Sequence, residues 1–144
     1  MKQRMLMVAA VALLGVSQAQ ARNDVGTYPI DAALATGAGS VGTDVSLYFA
    51  GQPHPAIVKE YGEFDTNKKT NAFGKSDIDA CRHVFLSAVI ELQARARKEG
   101  GNAVIDIKSN YKKQLVASAT EFTCGAGAVV AGVALTGNVV TLKK

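Results

Sequence analysis

The segment from Asp77 to Glu99, closed in front by Ser76 and behind by Gly100-Gly101, constrains this chain more than any other. Ser76 offers an N-cap oxygen, Asp79 three residues on completes a capping-box-like pair, and Asp77 and Asp79 place negative charge at the positive end of a helix dipole. Ile78, Cys81, Phe85, Ala88, Leu92 and Ala96 recur in alternating steps of three and four, and Val84 and Val89 widen the stripe, so one face is built for burial. Arg82, Ser87, Arg95, Arg97 and Lys98 fall mostly elsewhere. The last three suit the negative end, and Gly-Gly supplies a left-handed stop. The pattern predicts a helix over 77–99.

Directly after the stop, Ala103-Val104-Ile105-Asp106-Ile107 begins a strand that continues toward Tyr111, ahead of Lys112-Lys113. Upstream, Val45–Phe49 reads as a short strand and Val58–Thr70 as a looser extended stretch. Gln52-Pro53-His54-Pro55 separates them, because each Pro removes a donor and restricts the residue before it. Ile30–Ala35 is compatible with one short helical turn. The uncharged run Thr123–Leu142 holds four glycines, Asn138 and three threonines, with Val as its bulk, and fits buried β-structure better than a membrane span. Thr136-Gly137-Asn138 is the expected turn between Val129–Leu135 and Val139–Leu142. The order β-β-α-β-β, with room for one more strand, predicts an α+β fold: one long helix packed on a mainly antiparallel sheet.

The first residues carry the three parts of a secretory signal: Lys2 and Arg4, an apolar run from Met5 to Val16, and small residues at Ala19 and Ala21. The run is short of the roughly 20 residues that span a bilayer core, so cleavage after Ala21 is expected, not a permanent anchor. Residues 1–21 are then a signal peptide and 22–144 one periplasmic domain. Net charge over the whole chain is +4, with Lys2 and Arg4 in the leader, which is too little to imply nucleic-acid binding.

Chemical motifs are few. Gly37-Ala38-Gly39-Ser40-Val41-Gly42 fits G-x-G-x-x-G, but a strand follows it where a dinucleotide site needs a helix, so it reads as a flexible loop. Neither a phosphate-binding G-x-x-x-x-G-K-[ST] nor a G-x-S-x-G elbow is present. No nucleotide, cofactor or catalytic residue is expected.

Cys81 and Cys124 have two readings. An even pair in an oxidising compartment usually forms a disulfide, and Cys81 lies on the buried stripe while Cys124 lies in a strand region that stripe could cover. Alternatively Cys81, His83, Cys124 and His54 provide the ligand types for zinc, without the close paired spacing zinc sites favour. His83 also stands about 200° round the helix from Cys81. Lys68, Lys69, Lys75, Lys112 and Lys113, with Lys143-Lys144, could gather into a patch for an anionic envelope polymer; the commoner use of such pairs is to solubilise strand ends.

Thr70-Asn71-Ala72-Phe73-Gly74-Lys75-Ser76, Ala80-Cys81-Arg82, Leu92–Ala96, Gly101-Asn102-Ala103-Val104 and Cys124–Ala128 together resemble a family of small proteobacterial exported proteins often labelled "excinuclease ATPase subunit". That label conflicts with the residues, since a repair ATPase needs a phosphate loop and a far longer chain. More distantly, the helix running into Gly-Gly-Asn-Ala-Val-Ile resembles the YbjQ-type family, described as heavy-metal-binding, and the periplasmic domain of the Rcs envelope-stress lipoprotein. In that sensor family disulfides tie the core together, which by resemblance suits Cys81 and Cys124. This chain lacks the sensor's lipidated Cys and second disulfide, and neither resemblance implies a catalytic residue. The leading expectation is a non-enzymatic periplasmic domain that binds a protein partner or envelope component, in envelope stress or maintenance. Metal or small-ligand binding is the second class. A hydrolase or oxidoreductase ranks last, because no set of nucleophile, base and orienting group is visible.

Overall fold

The computed structural model describes residues 22–144, so the expected leader and its cleavage site lie outside the described residues. The elements run β1 Asp24–Pro29, α1 Ile30–Thr36, β2 Ser46–Phe49, β3 Ile57–Asn71, α2 Asp77–Glu99, β4 Ala103–Tyr111, β5 Gln114–Val116, β6 Glu121–Ala126 and β7 Val130–Leu142. The α+β class stands, while the order corrects the expected β-β-α-β-β. Among the described residues two helices and seven strands stand where one long helix and four or five strands were expected. β1 and β5 escaped notice because neither contains a fully buried residue, so no apolar core face marks them in the sequence. Every pairing is antiparallel except β2 with β4.

α2 starts and stops as its sequence dictates. The Asp79 N–H donates to the Ser76 hydroxyl at 3.2 Å. At the other end Gly100 takes φ 90°, where any side chain would be strained, and the Gly101 N–H donates to the Ala96 carbonyl at 2.8 Å, a Schellman closure. The stripe needs two corrections. Ile78, one turn too early to meet the sheet, is 40% exposed, and polar Gln93 is buried. α2 lies across β3 and β7, and its Phe85 ring stacks on Phe122 with centroids 4.1 Å apart and meets Phe49 at 5.9 Å, in the same buried cluster as Cys81 and Cys124.

Gln93 explains a second departure. Its amide accepts from the Gly42 N–H at 3.0 Å and donates to the Gly42 and Val45 carbonyls at 2.8 and 2.9 Å. Arg97 grips Asp44 through two hydrogen bonds of 2.6 and 2.7 Å. The Gly37–Gly42 loop, expected to be flexible, is therefore clamped to the last turns of α2.

β7 is the spine of the sheet, and the turn expected at Thr136-Gly137-Asn138 does not exist. The strand runs straight through, pairing β3 from Ile57 opposite Leu142 to Asn71 opposite Val130. Gly137 serves close approach instead: a Cβ there would lie 2.6 Å from Cγ1 of Val104 on β4. The chain reverses earlier, at Gly127–Val129, where the Gly127 N–H donates to the Val130 carbonyl at 2.9 Å. No described helix is long and apolar enough to cross a membrane.

Candidate binding cleft

On its second edge β7 is shared by two strands that diverge. β6 pairs at Ala131 and Gly132, and β4 pairs from Leu135 to Val140, so Val133 and Ala134 have no partner on that side. A bulge precedes the divergence: between Ile105 and Lys108, β4 spends one residue more than β7, and Asp106 sits at φ 52°. Such an insertion bends and twists its strand. Beyond it, β4 pairs with β7 only at Lys108 and Ser109, and one buried hydrogen bond of 2.9 Å, from the Thr123 N–H to the Ser109 hydroxyl, ties it to β6.

The freed end of β4 turns back as a hairpin with β5. Tyr111 pairs with Gln114, leaving Lys112 and Lys113 as a two-residue loop. Their φ values are 51° and 61°. A two-residue loop matched to strand twist demands positive φ at both positions, which Asn-Gly supplies cheaply. Lys-Lys supplies it at about 1–2 kcal/mol of strain per residue. The hairpin thus carries two lysines at its tip where a relaxed turn would carry neither.

Tyr111 fills the wedge of the fork. Its hydroxyl donates to Asn23 Oδ1 at 3.1 Å, and its ring covers the backbone of Gly125 so closely that a Cβ there would overlap the phenol. A cavity opens on each side of this ring. One, of about 360 Å³, lies against β1 and β5 and is lined by Val25, Thr27, Tyr111, Lys112, Val116 and Thr123. The other, of about 430 Å³, lies toward β3 and β7 with Arg22, Lys69, Lys112 and Val130 on its walls. Exposed apolar side chains line the first: Val25 is 57% and Val116 43% exposed.

The charges around the cleft differ in availability. Arg22 is already engaged, bonding Asp24 at 2.7 Å and both carboxylate oxygens of Asp77 at 2.9 Å. Those bonds, Asp77's first, raise the Arg22 pKa, and Arg22 in turn lowers that of Asp77. Lys112 lies 5.6 Å from the Tyr111 ring centroid. Among the described residues, Lys69, Lys112 and Lys113 have no carboxylate within ion-pair distance.

The five lysines proposed as one basic patch are therefore divided. Lys69 and Lys112 line the cleft, and Lys113 follows Lys112 in the hairpin loop. Lys68, one residue along β3, points to the helix side and bonds Glu91 at 2.9 Å, because successive strand residues alternate faces. Lys75 sits in the turn between β3 and α2. Lys143 follows β7 and donates its N–H to the Ala56 carbonyl, away from the cleft.

The proposed zinc ligands are not gathered. Cys81 and Cys124 are joined in a disulfide with Cα atoms 5.9 Å apart, so neither offers a thiolate. His83 is exposed on α2, and exposed His54 lies against Tyr48 with its Nδ1 2.8 Å from the Pro55 carbonyl oxygen. Among the described residues no three metal-ligating side chains cluster.

Sequence reading missed Tyr111, Val25, Val116 and Thr123 as site residues. The available signal was Lys112-Lys113 flanked by Tyr111 and Gln-Leu-Val, a two-residue break between extended runs. No family model matches the chain, and neither the curated proteins nor the solved structures provide a match.

Proposed function

We propose that this chain is a non-enzymatic binding domain of the periplasm, that its ligand is a protein or other component of the envelope carrying negative charge, and that the cleft around Tyr111 is where it binds. The observation that carries this reading is the β4–β5 tip, where two lysines occupy strained backbone above an apolar cleft. The two-residue loop demands left-handed backbone of whatever residues it holds, and Lys-Lys meets that demand with more strain than Asn-Gly would. Strain of this kind persists only when the surrounding fold enforces it, and it concentrates where a chain binds. Lys69, which has no carboxylate partner among the described residues, lines the neighbouring cavity on the other side of the Tyr111 ring, and Lys112 borders both. The disulfide supports an oxidising compartment, and the secretory pattern of the first residues agrees with it.

Photocrosslinking tests the assignment. A benzophenone amino acid placed at Gln114 in the cleft, or at exposed His83 on α2, is irradiated in periplasmic extract. Discrete adducts are expected from position 114 and not from 83. Adducts of equal yield from both, or none from 114, contradict the assignment.

A further inference from the structure

Among the described residues β5 is a free strand edge, three residues long, that is fully exposed and carries neither a charge nor a proline of its own, and we infer that it accepts an extended, alternating apolar and acidic polypeptide segment as an added strand. This rests on the cleft reading above and narrows it to a class of ligand.

Four described strands pair with one neighbour only, and they differ in how the free edge is guarded. β3 carries Lys59, Glu60, Glu63, Asp65, Lys68 and Lys69 and is irregular on both sides of Glu60, the charges and bulges that keep a long edge from recruiting other chains. β1 begins with Asp24 and ends in Pro29, which has no N–H to give. β2 keeps Phe49 buried and leans Tyr48 on His54 of the connection that follows. β5 holds Gln114, Leu115 and Val116, all exposed, without a charge or a proline.

The surroundings of that edge select the ligand. A strand laid beside β5 would exchange main-chain hydrogen bonds with it and send every second side chain toward the cavity of about 360 Å³ between Val116 and Val25. Those positions call for apolar groups. The end of the strand nearest the hairpin tip would meet Lys112 and Lys113, which lack carboxylate partners among the described residues. Acidic residues there would supply them. A polysaccharide or polyphosphate could satisfy the lysines but not the free amide edge.

The test uses ¹⁵N-labelled protein with its disulfide intact. The probe is acetyl-(Val-Glu)₄-amide, compared with the Val-Lys octapeptide, with two N-methylated Val-Glu versions that each block one strand edge, and with polyphosphate. The Val-Glu peptide is expected to shift the Leu115, Val116 and Val25 amides saturably. The Val-Lys peptide, and at least one N-methylated version, should bind at least tenfold more weakly. Equal binding of both N-methylated versions, or equal shifts of these amides with polyphosphate, overturns strand addition and leaves the cleft reading standing. If no probe shifts any cleft residue, both readings fall.

Discussion

The Tyr111 ring stands against the bare backbone of Gly125, with its hydroxyl donating to Asn23 at 3.1 Å, and this contact wedges open the fork between β4 and β6. A methyl at position 125 would occupy the space of the phenol. Gly125→Ala should therefore expel the ring and destabilise the fold by about 1–3 kcal/mol, the usual range for overpacking. In a Tyr111→Ala background the same substitution should cost little. Urea unfolding of the two single variants and the double variant checks this, and additive losses would show that the two residues do not compete for space.

The difference between what was legible in advance and what was not follows from where the determining contacts lie. α2 was readable to its last residue because Ser76, the apolar stripe and Gly100 act within a few positions of one another. The turn misplaced at Thr136–Asn138 shows the opposite case. Gly137 serves a neighbouring strand, and a glycine read locally looks the same whether it bends a chain or lets another approach. The cleft was hidden for a related reason: its residues come from β1, β4, β5 and β6, assembled by a fork that no local pattern encodes.

The Cys81–Cys124 bond closes a loop of 43 positions between the first turns of α2 and the middle of β6. In the chain-entropy account, closure of this length stabilises by about 4 kcal/mol. Cys81→Ala and Cys124→Ala should each lower the guanidinium midpoint strongly, with the double variant close to either single, because each removes the same bond. A double variant much less stable than both singles would show that the packing of the sulfurs outweighs the crosslink.

Asp44 should report the clamp on the glycine loop through its titration. Hydrogen bonds from Arg97 lower its pKa to about 2 from an ordinary 3.8. A depressed carboxyl contributes stability that is present above its unfolded value and is lost as pH falls through its folded value. The contribution of this pair should therefore disappear between about pH 4 and pH 2. In Arg97→Gln the Asp44 carboxyl should titrate near its ordinary value, observed as a ¹³C shift. An unchanged midpoint would remove Arg97 as the cause.

Removing the buried amide that holds the same loop should cost more. Gln93→Ala strands the Gly42 N–H and the Gly42 and Val45 carbonyls, three main-chain groups that now have a partner. A loss of about 2–4 kcal/mol is expected, combining unpaired polar groups with a small cavity. Hydrogen exchange at Gly42 should accelerate in parallel, and unchanged protection there would contradict the clamp.

The most direct measurement exchanges Lys112-Lys113 for Asn-Gly and follows stability and binding in the same protein. Asn-Gly relaxes the positive φ of both positions, so the variant should be more stable by about 1–2 kcal/mol in urea. It also removes Lys112 from the cleft and Lys113 from the hairpin loop beside it, so the adducts formed from position 114 should vanish. A variant that gains stability and loses its adducts is the predicted result, for it separates what the hairpin does for the fold from what it does for a ligand. A stabilised variant that still forms the same adducts in the same yield would contradict the cleft as the binding site.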